Sequence, residues 1–395
     1  MNNKTKISVF AVIMYITQGV TALSGIAIPL LLRQIGFTLP QMATLGMIAS
    51  IPWFLKILWG AISDNYFLFG SHRKSYIAMG CILSSMGWVL RFLFGASSGF
   101  IFWAISGFIA ALGWCFVDIA GDGLIVEAST TNENSNNYQN LCWGARALGA
   151  GMTALAGGIL CKLIGYVNTI GIVSIFPLIP LCVLWLVKEK KIVRKTKTIG
   201  KAIIGPIKAY IKNKQLLIIS LFIFLGMLSP SYGLPWFFRM KDTLGFDEPF
   251  LGLLGSIGSM SIIVGAVIYH KWFRNCNLKV LLKVAVFIWA FNTISVVFIY
   301  NRPTAIIFEV INATIGHMAF IPLLAIAARL CQKTRFEAST FAMICSLKNL
   351  TGSVAGMIGA KLFVYIGFYP LVIISTVTTL ICYPVIKYIK IGGKK

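Results

Sequence analysis

Acidic residues are scarce in this chain of 395 residues: 11 Asp and Glu stand against 35 Lys and Arg, and His occurs three times. Charged residues make up only 12% of the chain and hydrophobic types 58%, which excludes an ordinary soluble domain. The nine cysteines include no CxxC pair, so neither a zinc site nor a disulfide framework is indicated. They are expected to be small packing residues. P-loop, GxSxG, HExxH and dinucleotide-binding patterns are missing as well, and no enzyme activity, metal or cofactor is expected. The net charge of +24 does not point to nucleic acid, because the Lys and Arg fall in short loops between apolar runs.

What the chain has in abundance is long apolar stretches, with a mean hydropathy of +0.84. Twelve of them, the first at 7-30 and the last at 366-388, are long enough to cross a hydrocarbon core as helices. The first lacks a small-residue cleavage site after it and is expected to be retained. An all-α, multi-pass membrane protein follows, since helices satisfy their own backbone groups in lipid. An even number of spans puts both termini on one side. If that side is the cytoplasm, 25 Lys and Arg lie inside and six outside, as basic loops require. The expected location is therefore the plasma (inner) membrane, with both termini cytoplasmic.

The longest hydrophilic stretch, KEKKIVRKTKTIGKAIIGPIKAYIKNK, separates two halves. The expected layout is a six-helix bundle over 1-187, a cytoplasmic basic linker over 188-213 and a second six-helix bundle over 214-395. Ile203, Ile204, Ile207 and Ile211 recur at helical spacing among lysines. Two readings stand open, a helix on the anionic inner leaflet or a solvated tether. A shift of 202 residues lays GARALGAGMTALAGGILCKLIGY over SLKNLTGSVAGMIGAKLFVYIGF, with Arg146 over Lys348, Gly157 over Gly359 and Gly165 over Gly367. That is the pattern of a parallel two-bundle repeat, as in the major facilitator superfamily.

Four cations lie within the spans: Lys56, Arg91, Arg146 and Lys348. Asp118 and Asp122 are four apart in the fourth span and share a helix face, so they are the expected partners of Lys56 and Arg146. A buried ion cluster that only fixes packing is one reading, a solute or proton pathway the other. Arg91, near the outer end of its span, is expected to reach water with its head group. His317 is either a packing residue or a proton carrier. Gln18, Thr21 and Ser24 form a polar stripe on the first span, which Pro29 is expected to end, while Pro230 and Pro235 should interrupt the seventh. Gly60, Asp64, Arg73, Lys74 and Glu127 fall at the cytoplasmic ends of the second to fourth spans and are expected to form a gate.

Four segments carry a resemblance. IPWFLKILWGAISDNYFLFGSHRKSY from Ile51, VDIAGDGLIVE from Val117, YQNLCWGARALGAG from Tyr138 and MYITQG from Met14 resemble, in order and spacing, motifs of the folate-biopterin transporter family. The resemblance makes Lys56, Gly60, Asp64, Gly70, Arg73, Tyr76, Asp118, Asp122, Glu127, Cys142, Trp143 and Gly144 motif positions. Two departures are visible: Ile57 stands where the family has proline, and Ser71-His72-Arg73-Lys74 replaces an arginine triplet. The resemblance implies a secondary transporter of major facilitator type, a symporter that moves a folate- or pterin-like solute by alternating access, with possible H+ coupling. Asp118 or Asp122 would hold the pterin edge, and Arg146 and Lys348 the carboxylates of a folate tail. Lys56, Gln18 and His317 complete the expected substrate and coupling set in a lipid-embedded monomer. A permease for another solute, such as a muropeptide, nucleoside or amino-acid derivative, and a non-transporting receptor or assembly protein are the alternatives.

Overall fold

A computed structural model of the chain describes residues 3–69, 71, 73–128, 132–187, 189, 199–332, 334 and 336–390. Apart from a single isolated bridge between Leu68 and Ser71, every regular element among them is helical. Ten stretches are long and apolar enough to cross a membrane, and eleven if one bent pair is counted as a span. One of the ten, Leu141–Leu184, is 44 residues long. At 1.5 Å per residue it would reach about 66 Å, twice a hydrocarbon core. It takes in most of α7 (Asn132–Val173), divided at Gly165, whose φ of 81° and ψ of 170° interrupt the helix.

The chain forms two compact units, described separately. The first comprises Met1–Ile199 with Asp247–Met260, the second Gly200–Phe246 with Ser261–Lys395. In the first unit, α1 (Asn3–Gly19), α2 (Ser24–Gln34), α3 (Leu39–Phe54), α4 (Lys56–Asn65), α5 (Lys74–Phe94) and α6 (Phe100–Ala128) precede α7 and the short α8 (Ile179–Leu184). Phe10, Met14, Ile77, Trp114 and Val117 are buried in its core. The second unit has α9 (Ile199–Lys212), α10 (Lys214–Met227) and α11 (Gly233–Phe238), then the end of α12 (Glu248–Ile268). It continues with α13 (Leu278–Ser295), α14 (Arg302–Cys331), α15 (Glu337–Ile366) and α16 (Phe368–Leu380). Leu216, Phe222, Leu282 and Leu323 lie at its centre. In lipid, hydrocarbon is as apolar as Leu, so these helices are held by packing and polar contacts more than by the hydrophobic effect. Ile101, Met152 and Leu163, each more than 70% exposed, suit the lipid side.

Local chemistry sets the helix boundaries. Thr38 opens α3 with a capping box to Gln41, Asn301 opens α14 with one to Thr304, and the Asn277 side chain caps α13. Residues 228–232 are non-helical around Pro230, as expected from the two prolines. The first span corrects an expectation, for Pro29 lies inside α2 and does not end it. The irregularity sits earlier, in a 3-10 turn at Val20–Leu23. The carbonyl deprived of a donor by Pro29 is that of Gly25, just after this tightened turn, so the helix continues to Gln34.

Both units use one internal device. In the first, α7 packs against the 3-10 turn so closely that a Cβ on Gly157 would stand 2.3 Å from the Leu23 carbonyl oxygen. In the second, α15 meets the broken stretch after α10, and a Cβ on Gly359 would lie 1.9 Å from the Ser231 carbonyl oxygen. The Ser231 amide donates across the same contact to the Ala355 carbonyl at 2.9 Å. Gly157 and Gly359 are 202 residues apart, as are Gly165 and Gly367, and Gly367 repeats the left-handed break with φ 74° and ψ −172°. Substituting Val for Gly157 or Gly359 is expected to cost about 1–3 kcal/mol or more by overpacking. Thermal unfolding in detergent tests this: a midpoint equal to that of the unaltered protein would show that the backbones are not in contact.

Candidate functional site

The second span breaks at Leu55, between α3 and α4, three residues after Pro52. The Pro52 carbonyl accepts from the Trp59 indole N–H at 3.0 Å and from the Cys115 thiol at 3.4 Å, so the break is supplied with donors. Lys56 follows directly and extends to α6, where its ammonium forms an ion pair with Asp118 Oδ2. The Lys56 Nζ also lies over the Trp53 ring, 4.8 Å from its centroid. Asp118 is buried, and its other oxygen, Oδ1, accepts from Gln18 Nε2 at 3.0 Å. Both oxygens of this carboxylate are thus engaged. A buried carboxylate with one cationic and one amide donor is electrostatically balanced, whereas either charge alone would be costly in lipid.

One turn along α6, Asp122 is treated differently. The Tyr15 hydroxyl donates to its Oδ1 at 2.6 Å, and Oδ2 has no hydrogen-bond partner among the described residues. The site thus holds one neutralised carboxylate and one that meets only a neutral donor. Tyr15 was not among the expected site residues, yet it lies three positions before Gln18 in MYITQG, on the same face of α1. Gln18 Oε1 is buried without a hydrogen-bond partner among the described residues. Thr21 and Ser24, the rest of the expected stripe, donate to backbone carbonyls of their own helix, Gln18 and Thr21, and bear no constellation.

Arg146, on α7, is exposed, and its guanidinium lies 5.4 Å from the centroid of Trp143. Lys348 and His317 belong to the second unit, on α15 and α14. There the Lys348 ammonium stands 4.3 Å from the centroid of Phe320. Arg91 contradicts expectation. It does not reach water: it is 8% exposed, donates to Ser106 Oγ at 3.3 Å and the Trp103 carbonyl at 3.2 Å, and lies near the faces of Trp88 and Trp103. Two indole faces and a carbonyl oxygen hold the guanidinium inside the unit, so its long side chain has no need of the water boundary.

The second cluster lies between α4 and α5. Arg73 Nη1 is 2.7 Å from Asp64 Oδ1 and donates to Ser63 Oγ at 3.2 Å. Glu189 adds what sequence reasoning missed: its Oε1 accepts from the Arg73 amide and its Oε2 from the Ser71 hydroxyl, each at 2.6 Å. The available signal was that Glu189 is the one acid in KEKKIVRKTKTIGKAIIGPIKAYIKNK. On α6, a Cβ on Gly123 would stand 2.7 Å from the Arg73 guanidinium carbon, so a glycine there admits the side chain. Lys74 is the first residue of α5. At Gly60 a Cβ would meet nothing nearer than Ile119 at 4.0 Å, so packing in this arrangement does not demand glycine. The Glu127 side chain, Gly70 and His72 lie outside the described residues.

A third polar contact joins the end of α7 to the start of α12, both in the first unit. Lys162 Nζ is 3.6 Å from Asp247 Oδ2, and the Tyr166 hydroxyl donates to Glu248 Oε1 at 3.0 Å.

Bundled apolar helices, the Lys56–Asp118 ion pair held within them and no strand among the described residues define an integral membrane protein with the fold of major facilitator transporters. A mutant of the nucleoside transporter NupG superposes with a TM-score of 0.76 at 10% identity, over 98% of this chain and 100% of that one. A POT family transporter in complex with 5-aminolevulinic acid gives 0.76 at 12% identity, over 97% and 95%. The family follows from sequence: residues 18–387 match the BT1 family, and the chain belongs to it. It is 29% identical over 407 residues to a folate-biopterin transporter of Synechocystis, covering 96% of this chain and 80% of that protein. Folate transporter 1 of Plasmodium falciparum is 26% identical, covering 91% and 72%. A probable folate-biopterin transporter 7 of Arabidopsis thaliana is 23% identical, covering 81% and 76%. These are transport proteins, and the chain is not an enzyme.

Two expectations follow. Asp118→Asn leaves the Lys56 charge without its counter-ion and should lower stability by about 3 kcal/mol, with Lys56→Met in the same chain restoring most of the loss. An unfolding midpoint that falls as far in the double variant as in the single one would show that the pair is not coupled. Because Asp64 is largely exposed, its coupling to Arg73 should be only about 0.2–1 kcal/mol in a double-mutant cycle. A coupling of zero would remove the direct contact.

Proposed function

We propose that this chain is a secondary transporter that moves a folate- or pterin-like solute across the plasma (inner) membrane by alternating access. The observation that carries the reading is the pair of unlike carboxylates on α6, neutralised Asp118 and Tyr15-bonded Asp122, at positions that resemble the family motif. Asp118 keeps Lys56 and Gln18 in register. Asp122 takes the amino-pyrimidinone edge of the solute, whose two adjacent N–H groups suit a carboxylate. Arg146 and Lys348 serve the carboxylates of a folate tail, each from one half of the repeat.

The layout we infer is twelve spans in two bundles, 1-187 and 214-395, joined by the basic linker 188-213, acting as a monomer with both termini cytoplasmic. The basic loops support this orientation. Asp64, Arg73 and Glu189 close the cytoplasmic side, with Gly60, Lys74 and Glu127 beside them, and Lys162–Asp247 and Tyr166–Glu248 close the outer side. Protons couple to the movement through Asp122, whose donor Tyr15 is neutral, with His317 as the second candidate.

In proteoliposomes, Asp122→Asn should cut uptake of labelled folate or biopterin at least about tenfold, as expected for losing a charge-assisted bond. An Arg302→Gln change at the helix start should leave uptake intact. If folded, inserted Asp122→Asn and Asp118→Asn proteins both transport like the unaltered chain, the site is wrongly placed; if uptake ignores an imposed pH gradient, proton coupling is.

A further inference from the structure

The basic stretch between the two halves holds a structured element that transport does not use. Over Ile203–Lys212, α9 meets α10 at 88°. A helix perpendicular to a membrane-crossing helix runs along the bilayer plane. The elbow is pinned on both sides. Asn213 caps α10, its side chain accepting from the Gln215 and Leu216 amides at 3.0 and 3.3 Å, and the Tyr210 and Ser220 hydroxyls are hydrogen-bonded across the bend. Further along, Gly205 lies so close to Phe336 that a Cβ would stand 2.9 Å from its ring.

The docked and outer sides of α9 are distinct. Pro206 and buried Tyr210 face the protein. On the other side, Ile204 and Ile211 are 52% and 59% exposed, an apolar stripe that water would not favour. Lys208 and Lys212, both exposed, run beside the stripe at helical spacing. An isoleucine row flanked by lysines on a helix in the bilayer plane matches the layers of an anionic lipid surface, acyl boundary next to phosphate. A re-entrant course would bring both ammonium groups into hydrocarbon, which is costly.

We propose that α9 is a membrane-surface helix that inserts Ile204 and Ile211 at the acyl boundary and binds anionic phospholipid headgroups through Lys208 and Lys212. It would hold the start of the second half at a set depth on the side of the basic loops. The proposal is independent of the transported solute.

The test uses the full-length protein with Ile204→p-benzoylphenylalanine in nanodiscs of phosphatidylcholine, with or without phosphatidylglycerol. Irradiation followed by mass spectrometry should find lipid adducts, with the higher yield in phosphatidylglycerol discs. Lys208→Gln with Lys212→Gln should lower that yield about fivefold or more, since each basic residue at an anionic surface adds roughly a fivefold preference. The unfolding midpoint in detergent, expected to be unchanged, shows that the variant is folded. Adducts only within the protein, or none, would overturn the surface placement; a yield insensitive to both phosphatidylglycerol and the two lysines would overturn the headgroup assignment.

Discussion

An ammonium group inside a membrane-spanning helix needs a counter-charge, and the arrangement around Lys56 depends on that requirement. The helix breaks at Leu55 so that the lysine leaves the backbone at an irregular turn, and the Pro52 carbonyl finds its donors in Trp59 and Cys115. Asp118 answers the charge from α6, and Gln18 of α1 satisfies the remaining oxygen. One ion pair therefore ties together three helices of the first unit. Asp118 is thereby committed to this pair, while one turn along α6 Asp122 accepts from a neutral phenol, that of Tyr15.

The two units reuse one solution to another constraint. Without a hydrophobic drive between helices in lipid, backbones must approach closely to gain packing energy, and glycine permits it. Gly157 meets the irregular turn of the first span and Gly359 the broken stretch after α10, while Gly165 and Gly367 each turn the chain into the following helix. The same 202-residue offset links both pairs, and it also links Arg146 with Lys348. Where the helix of each half is irregular, a glycine helix supports it. Irregular backbone within a membrane is tolerated where protein supports it, and here the glycine helices give that support.

Charge is distributed with similar economy. In the cluster at the end of the second span, Arg73 meets Asp64 and Ser63 with its guanidinium and Glu189 with its backbone amide. Among the described residues, Arg91 is held by indole faces, a hydroxyl and a carbonyl oxygen, with no acid beside it. With 11 acids for 35 bases, most cations cannot have an acidic partner. Aromatic faces under Arg146, Lys348 and Arg91 take part of that role.

The sequence by itself determined the class: apolar runs of spanning length gave an all-α multi-pass membrane protein, and four motif segments carried the resemblance to the family that residues 18–387 match. It also contained the repeat, since Gly165 and Gly367 align letter for letter. Local pattern carries such features, because hydropathy and helical spacing act over a few turns. Only the tertiary structure decided which partner each charge takes. That Tyr15 reaches Asp122, that Glu189 folds back onto Arg73, and that Arg91 turns inward to Trp103 are contacts between helices or across long chain separations, and helical periodicity says nothing of them. The break at Leu55 and the continuity through Pro29 are likewise tertiary outcomes. A proline removes one backbone donor wherever it stands, but neighbouring helices decide whether the freed carbonyl bends the chain or is satisfied in place.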